Sequence, residues 1–382
     1  MTFSRIPCTV IFGFIFLTSL RAIPPLAQTG VIAFQDACTG LLYAMRGDGS
    51  GRIALPLPPR PLPTDEYLDP LVLDVTTSSP TTVVYSVQIT RVVVINGQNE
   101  ETLVDRGVFA VQVDDVGGVL TPELPVRLSL PTIAGVVPNF ARSGSFSSMG
   151  FGDRLAVVAP GQSASLLINA KVDRDPDLKI TGLSDFVVVG DLYSIGIPDP
   201  NFPSKKGFTG FIDYSPDGRS IVASIYYDLW MINLRGDNTF LSAERLTENT
   251  NGFAEWNPAF SQDGSHIAYT GGAIISSGPG TGGVRDRDTD IYSLAPTNHT
   301  VIPVTTNSNK GRAARARNNP MWSPDSAWIG FTAYTSSTPR FSPCSSLVNT
   351  EIFLIKADGS TTATQITDTN GTSVEVWPRW GW

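Results

Sequence analysis

Along the second half of the chain, apolar and polar positions repeat one arrangement three times: Asp213-Tyr-Ser-Pro-Asp-Gly-Arg-Ser-Ile-Val-Ala-Ser, Pro258-Ala-Phe-Ser-Gln-Asp-Gly-Ser-His-Ile-Ala-Tyr and Pro320-Met-Trp-Ser-Pro-Asp-Ser-Ala-Trp-Ile-Gly-Phe. Each copy reads as a short strand, a, a turn built on Ser-x-Asp, and a second strand, b. The turn has a mechanism. Pro presets φ, Asp bonds its own backbone and Gly accepts positive φ, so a and b close as a tight hairpin. An apolar strand c follows in each copy, Asp228-Leu-Trp-Met-Ile-Asn, Asp290-Ile-Tyr-Ser-Leu and Glu351-Ile-Phe-Leu-Ile-Lys. Strand d then ends in Arg245-Leu-Thr, Pro303-Val-Thr or Gln365-Ile-Thr. The alternation of apolar and polar residues in b and c predicts sheets stacked face to face. A four-stranded unit repeated along a chain is a propeller blade.

These signals place three blades at about 207–247, 254–305 and 318–367. Upstream, Ser145-Phe-Ser-Ser-Met-Gly-Phe-Gly-Asp-Arg-Leu-Ala-Val-Val resembles a worn a–b hairpin with Ser165-Leu-Leu-Ile-Asn as its c strand. Strand-like runs at 71–76, 82–90 and 108–113 supply another blade without the Ser-Pro-Asp-Gly turn. The two ends complete the ring: Gly30-Val-Ile-Ala-Phe reads as b, Leu41-Leu-Tyr-Ala-Met as c, and Glu375-Val-Trp-Pro-Arg-Trp as a. The expected fold class is all-β, a six-bladed β-propeller with the first blade closed by the C-terminal strand, which leaves no free sheet edge at the seam.

Composition fits many short strands joined by turns, with 35 Gly and 29 Pro in 382 residues and only 16% charged residues. Residues 1–27 read as a signal peptide: Arg5 precedes an apolar run from Cys8 to Leu20, and Pro25-Leu-Ala27 supplies a small-residue end. An uncleaved N-terminal anchor is the alternative, although the run is short for a bilayer span. The mature propeller then covers 28–382, exported to the periplasm or beyond the cell, with no membrane span. Loss of Arg5 and Arg21 moves the formal charge from −8 to −10. So acidic a chain, lacking a basic stripe, excludes nucleic acid as a partner.

The Ser-Pro-Asp-Gly, Ile-Ala-Tyr, Asp-Ile-Tyr and Leu-Thr elements resemble the WD-like propeller repeats of the TolB-like family. The resemblance is clear over 207–382, partial over 30–55 and faint over 71–183. It covers the propeller part without the α/β domain that precedes it in TolB. It implies a periplasmic protein that holds envelope proteins. The repeats are also similar to the propeller that caps prolyl oligopeptidase-type peptidases, but the sequence contains no Gly-x-Ser-x-Gly elbow.

Chemistry is sparse. His266 follows a turn at the start of a b strand, and His299 sits in a loop. Neither has a cysteine or carboxylate at a telling spacing for a nucleophile–base pair or a zinc site. Asp173-Arg-Asp175-Pro-Asp177 and Asp286-Arg-Asp288-Thr-Asp290 offer oxygen ligands to calcium but lack the Gly and distal Glu of an EF-hand, so solvated loops with salt bridges are the competing reading. No other cofactor is expected. Cys38 and Cys344 fall between b and c in the first and last blades, and a disulfide across the seam is expected, with two unrelated thiols as the alternative. The seven tryptophans occupy strand positions and read as core.

Because strands alternate in direction, b–c and d–a connections share one face of the disc. Long connections are expected there at 190–206, 271–289, 307–318 and 335–350, and insertions collect on binding faces. One of them gathers Lys310, Arg312, Arg315 and Arg317, a cluster suited to carboxylates or phosphates or simply exposed. The sequence therefore predicts a monomeric, non-catalytic propeller that binds a protein, peptide or other envelope component through this face. A glycan-active enzyme with carboxylates at the propeller axis is the rival, and a purely structural surface module the third reading.

Overall fold

The computed structural model describes residues 30–36, 38–76, 81–95, 98–130, 143–146, 153–160, 165–196, 210–248, 253–275, 283–306, 315–334, 350–368 and 375–381. They build six antiparallel sheets. The first blade holds β1 (Val31–Asp36), β2 (Leu41–Arg46) and β3 (Ile53–Ala54), and the second β4 (Glu66–Val75), β5 (Thr81–Ile95), β6 (Gln98–Val116), β7 (Val119–Pro122) and β8 (Val126–Leu128). The third has β9 (Ser143–Phe146), β10 (Arg154–Pro160), β11 (Ser165–Arg174) and β12 (Ile180–Asp191), followed by a single helical turn, α1 (Leu192–Ile195). The fourth has β13 (Ile212–Tyr214), β14 (Ser220–Ile225), β15 (Asp228–Leu234) and β16 (Phe240–Arg245). The fifth has β17 (Phe253–Phe260), β18 (Ile267–Ile275), β19 (Gly283–Ala295) and β20 (Thr300–Pro303). The sixth has β21 (Arg315–Trp322), β22 (Trp328–Tyr334), β23 (Thr350–Lys356) and β24 (Thr364–Gln365). The last strand, β25 (Glu375–Gly381), returns to the first blade, where Ile32 faces Trp380 and Ala33 faces Arg379.

The seam is thus closed as the terminal patterns predict. Contacts between neighbouring first strands run β25–β4–β9–β13–β17–β21 and back to β25, a complete toroid. Between each pair of blades lies one apolar layer. Strand β1 shows how: Val31 and Ala33 pack against the second blade, while Ile32 and Phe34 pack against the sixth. Every residue of β1 is buried, the polar Gln35 and Asp36 included, so this b strand is covered on both faces rather than half exposed. Phe34, Phe331 and Phe353 are fully buried, each worth about 1.5–3 kcal/mol of transfer free energy.

The repeat motif is a set of hydrogen bonds. Ser215, Ser261 and Ser323 each donate to the Asp two residues on, at 2.6, 2.6 and 2.5 Å. Each also accepts the amide of Ser220, His266 or Trp328, fixing the turn into strand b. The closing threonine does the same for c and d: Thr305 and Thr367 donate to Asp290 and Glu351 at 2.9 and 2.8 Å, and accept the next amides, Ile291 and Ile352. Asp290, a calcium candidate in the sequence, is therefore a repeat acid engaged within its blade.

Blade five departs from the expected long loop. Strands β18 and β19 stay paired out to Ile275 and Gly283, and residues 285–288 bulge opposite Ala273 between the pairs Gly272–Thr289 and Ile274–Val284. Asp286 and Asp288 lie in that bulge of a strand, not in an open loop. In the second blade, β5 and β6 extend beyond β4 as a two-stranded ribbon to Ile95 and Gln98, an extension the sequence reading cut short at residue 90. Among the described residues, no helix is long and apolar enough to cross a membrane. Residues 1–27, read as a signal peptide, lie outside the described residues.

Candidate functional site

The innermost strands carry a second register. Asp213 precedes the turn serine Ser215 by two residues, and Ala259 and Met321 hold the same place before Ser261 and Ser323. In the second blade Thr76 takes the serine's part, accepting the Thr82 amide at 2.8 Å, and Asp74 stands two residues before it. Strand pairing completes the set. Arg379, Asp74, Ser145, Asp213, Ala259 and Met321 face Ala33, Val84, Ala156, Val222, Ala268 and Gly330, the equivalent position of strand b in each blade.

All six line one cavity of about 60 Å³ at the axis. Its remaining walls come from the same strands and from the a–b turns, through Phe260, Trp322, Trp380, Ser215, Pro216 and Gln262. The turn residues place it toward the a–b face, opposite the face on which the sequence reading expected binding. Going round the ring, blades one to four contribute Arg, Asp, Ser and Asp, and blades five and six contribute Ala and Met. The site has a polar half and an apolar half.

Asp213 is the knot of the polar half. Its Oδ1 accepts from Ser145 Oγ at 2.7 Å and its Oδ2 from the Phe260 amide at 2.6 Å, while Ser145 Oγ accepts the Tyr214 amide at 3.0 Å. Three blades are joined through one carboxylate. Burial pushes the Asp213 carboxyl above its usual range, opposed by the positive charge of Arg379 and by these hydrogen bonds. On the apolar side the Trp322 indole N–H donates to the Ala259 carbonyl at 2.9 Å, tying the last blade to the fifth.

A second buried acid lies on β17. Glu255 is 6% exposed, its Oε2 has no hydrogen-bond partner, and burial together with the nearby Asp228 pushes its pKa up to about 9. Arg245 bonds Asp228 at 2.7 Å, so the pair of acids shares one guanidinium.

The residues singled out from the sequence fall as follows. Lys310 and Arg312 lie outside the described residues. Arg315 and Arg317 belong by backbone to β21 rather than to a loop, with Arg315 opposite Tyr334. Asp173 accepts from Ser184 Oγ at 2.6 Å, and Asp175 accepts the Asp177 and Lys179 amides, so these carboxylates fix a turn. Among the described residues, no cluster of three or more potential metal ligands occurs. His266 bonds Ser265 Oγ through Nδ1 at 2.8 Å, and His299 Nε2 lies 3.3 Å from Glu244. Trp230, Trp256, Trp322 and Trp380 are buried. Cys38 is disulfide-bonded, and Cys344 lies outside the described residues.

The sequence reading missed the axial ring. Its signal was present as the residue two places before each turn serine, a column reading Asp, Ala, Met in the three clear repeats.

No family model matches the chain, and no curated protein matches it in sequence. Solved structures of similar shape include a puromycin-hydrolysing peptidase of Mycobacterium tuberculosis, at 11% identity and a TM-score of 0.45, covering 88% of this chain and 43% of that one. An oligogalacturonate lyase in complex with manganese has 13% identity and a TM-score of 0.41, covering 87% and 82%. Hydrazine synthase of Kuenenia stuttgartiensis has 11% identity and a TM-score of 0.39, covering 81% and 68%. The chain spans less than half the length of the peptidase. Likeness at this level says nothing of chemistry, and the fold is read from the sheets themselves.

Proposed function

We propose that this chain is an exported, TolB-like propeller that binds an envelope protein or peptide without transforming it, and that it grips a small polar group of that partner in the axial cavity. The observation that carries the reading is the ring: six equivalent positions from six blades converge on one cavity, and four of them are polar. Polar groups at an axis cost desolvation unless they are satisfied by one another or by a ligand. Export is supported by the apolar segment at 8–20 and the TolB-like character by the repeat motifs, both features of the sequence.

The rival reading, a glycan-active enzyme, finds its carboxylates in Asp74 and Asp213. Size weighs against it. Pockets that enclose a ligand of ordinary size run to roughly 300–1,000 Å³, whereas this cavity is about 60 Å³ and admits only a terminal group. Asp213 is also held by two neighbouring blades.

Two variants separate the axial site from the loop face: Asp74→Asn with Arg379→Met, and alanine at Lys310, Arg312, Arg315 and Arg317. The partner is recovered from envelope extract with the wild-type chain, and its affinity for each variant is measured. Loss with the first and retention with the second is the expected result. The reverse pattern returns the site to the loop face, and release of reducing sugar from envelope glycans by the wild type makes the chain an enzyme.

A further inference from the structure

We infer that two copies of this chain pair through the free edge of β5, antiparallel about a two-fold axis at Val93, so that their ribbons join into one four-stranded sheet. The inference is independent of the axial reading and puts a dimer in place of the monomer expected from the sequence.

The ribbon leaves the second blade without support. Strand β4 pairs with β5 only as far as Glu66 opposite Thr90, and β8 meets β6 only over Val108 to Ala110. Beyond those limits β5 and β6 pair with each other alone, through Arg91–Thr102, Val92–Glu101, Val93–Glu100 and Val94–Asn99. Among the described residues, no strand pairs with either outer edge of this stretch. A two-stranded ribbon by itself is marginally stable in water. One of its faces is also apolar and open. Leu103 faces Thr90, which shares a side of the sheet with Val92 and Val94, and the three apolar residues are 45%, 46% and 70% exposed.

The two edges are guarded differently. Sheet edges in natural proteins are blunted by charges, prolines and bulges. On β6 the free edge carries Glu100 and Glu101, and it carries a bulge: Ile89 faces Asp105 while Thr90 faces Leu103, which leaves Val104 unpaired. On β5, residues 92–95 read Val-Val-Val-Ile, with no charge, no proline and no break in register. The neighbouring cation, Arg91, is turned back onto the buried Asp65, bonding both of its oxygens at 2.7 and 3.1 Å, and does not protect the edge.

Charge then selects the occupant and the register. About a two-fold axis at Val93, Val92 faces Val94 of the second copy and Val93 faces its own counterpart, and such β-branched pairs across strands are favourable. The same symmetry leaves β6 on the outside of the joined sheet. Glu100 and its counterpart are then three strand spacings apart, about 14 Å, beyond the screening length of about 8 Å at physiological salt. Pairing through β6 does the opposite: a two-fold axis at the middle of its free edge sets Glu101 directly opposite Glu101, where like charges about 5 Å apart destabilise the pair. A closed two-fold contact also ends with two chains, whereas pairing β5 of one copy with β6 of the next would propagate into a fibre.

The test uses the full mature chain. Sedimentation equilibrium over a hundredfold range of concentration measures association of the wild type, Val94→Lys on the β5 edge and Thr102→Lys on the β6 edge. Both positions are exposed, so each lysine is solvated in the monomer, and circular dichroism with the unfolding midpoint establishes that each variant is folded. The expected result is a wild-type dimer, at least tenfold weaker association of Val94→Lys, and no change in Thr102→Lys. An independent reading that needs no loss of function comes from Val93→Cys, whose thiols meet at the two-fold axis and should give a reducible linked dimer on mild oxidation, while Thr102→Cys gives none beyond the wild-type background. A wild type that stays monomeric throughout the range, whatever other protein it captures, overturns the inference. A dimer indifferent to Val94→Lys, one lost equally in Thr102→Lys, or one linked through position 102 and not 93, overturns it as well.

Discussion

Ser145 and Asp213, 68 residues apart in sequence, exchange roles across the boundary between the third and fourth blades: the serine hydroxyl donates to the carboxylate at 2.7 Å and receives the Tyr214 amide at 3.0 Å. Because Asp213 also receives the Phe260 amide, one small cluster sets the spacing of three innermost strands. The walls of the axial cavity are held by the same bonds that hold the toroid.

Replacing Ser145 with Ala leaves a buried carboxylate oxygen and a backbone amide without their partner. The expected loss of stability is about 2–3 kcal/mol, the range for a hydrogen bond to a charged group with its desolvation penalty. Urea unfolding of wild type and S145A measures it, and a difference below about 0.5 kcal/mol, the size of an ordinary surface change, removes Ser145 from the clamp.

Glu255 predicts a pH dependence. Its pKa is raised to about 9 in the folded chain, so between the ordinary carboxylate value and that figure the unfolded chain releases a proton that the folded chain keeps. Stability is therefore greatest below the unfolded value and falls as pH rises toward about 9, with a limiting slope of about 1.4 kcal/mol per unit. In Glu255→Gln this contribution is absent. The variant should gain on the wild type as pH rises from 5 to 8, read from unfolding midpoints, and a constant difference across that range contradicts the assignment.

The seam offers a contrast between strain and collision. Gly30 has φ of +84°, and a Cβ there would lie 2.1 Å from the carbonyl oxygen of Gly381 on β25. Gly118 has nearly the same φ, +85°, with nothing within 4 Å. Gly118→Ala should cost about 1–2 kcal/mol from the left-handed backbone alone, and Gly30→Ala clearly more, since β25 must give way. Equal losses would mean that the seam tolerates displacement.

For the cysteines we propose that Cys38 pairs with Cys344. A non-reducing digest should yield one linked peptide containing both, and Cys344→Ser should lower stability by up to about 5 kcal/mol, the chain-entropy figure for so long a loop. Linkage of Cys38 to Cys8, or two free thiols, is the contrary outcome.

Much of the architecture is legible without coordinates because its signals are local. Ser215-Pro-Asp217-Gly makes its own turn from hydrogen bonds within six residues, and Asp290 with Thr305 closes strands c and d within one blade. Even the closure of β25 on β1 is readable, since a b–c pattern lacking its a strand at one end meets a lone a strand at the other.

Other features escape a linear reading for a physical reason. The ribbon of β5 and β6 and the bulge at 285–288 are decided by how far two strands go on pairing, which depends on both partners at once. The charge of Glu255 is set by burial and by Asp228, 27 positions away. Most of all, the repeats place Asp74, Ser145, Asp213, Ala259, Met321 and Arg379 only within their own blades. That six such positions surround one small space, with acids on one side and apolar groups on the other, follows from closing the ring, because only there do strands distant in sequence come within hydrogen-bonding reach.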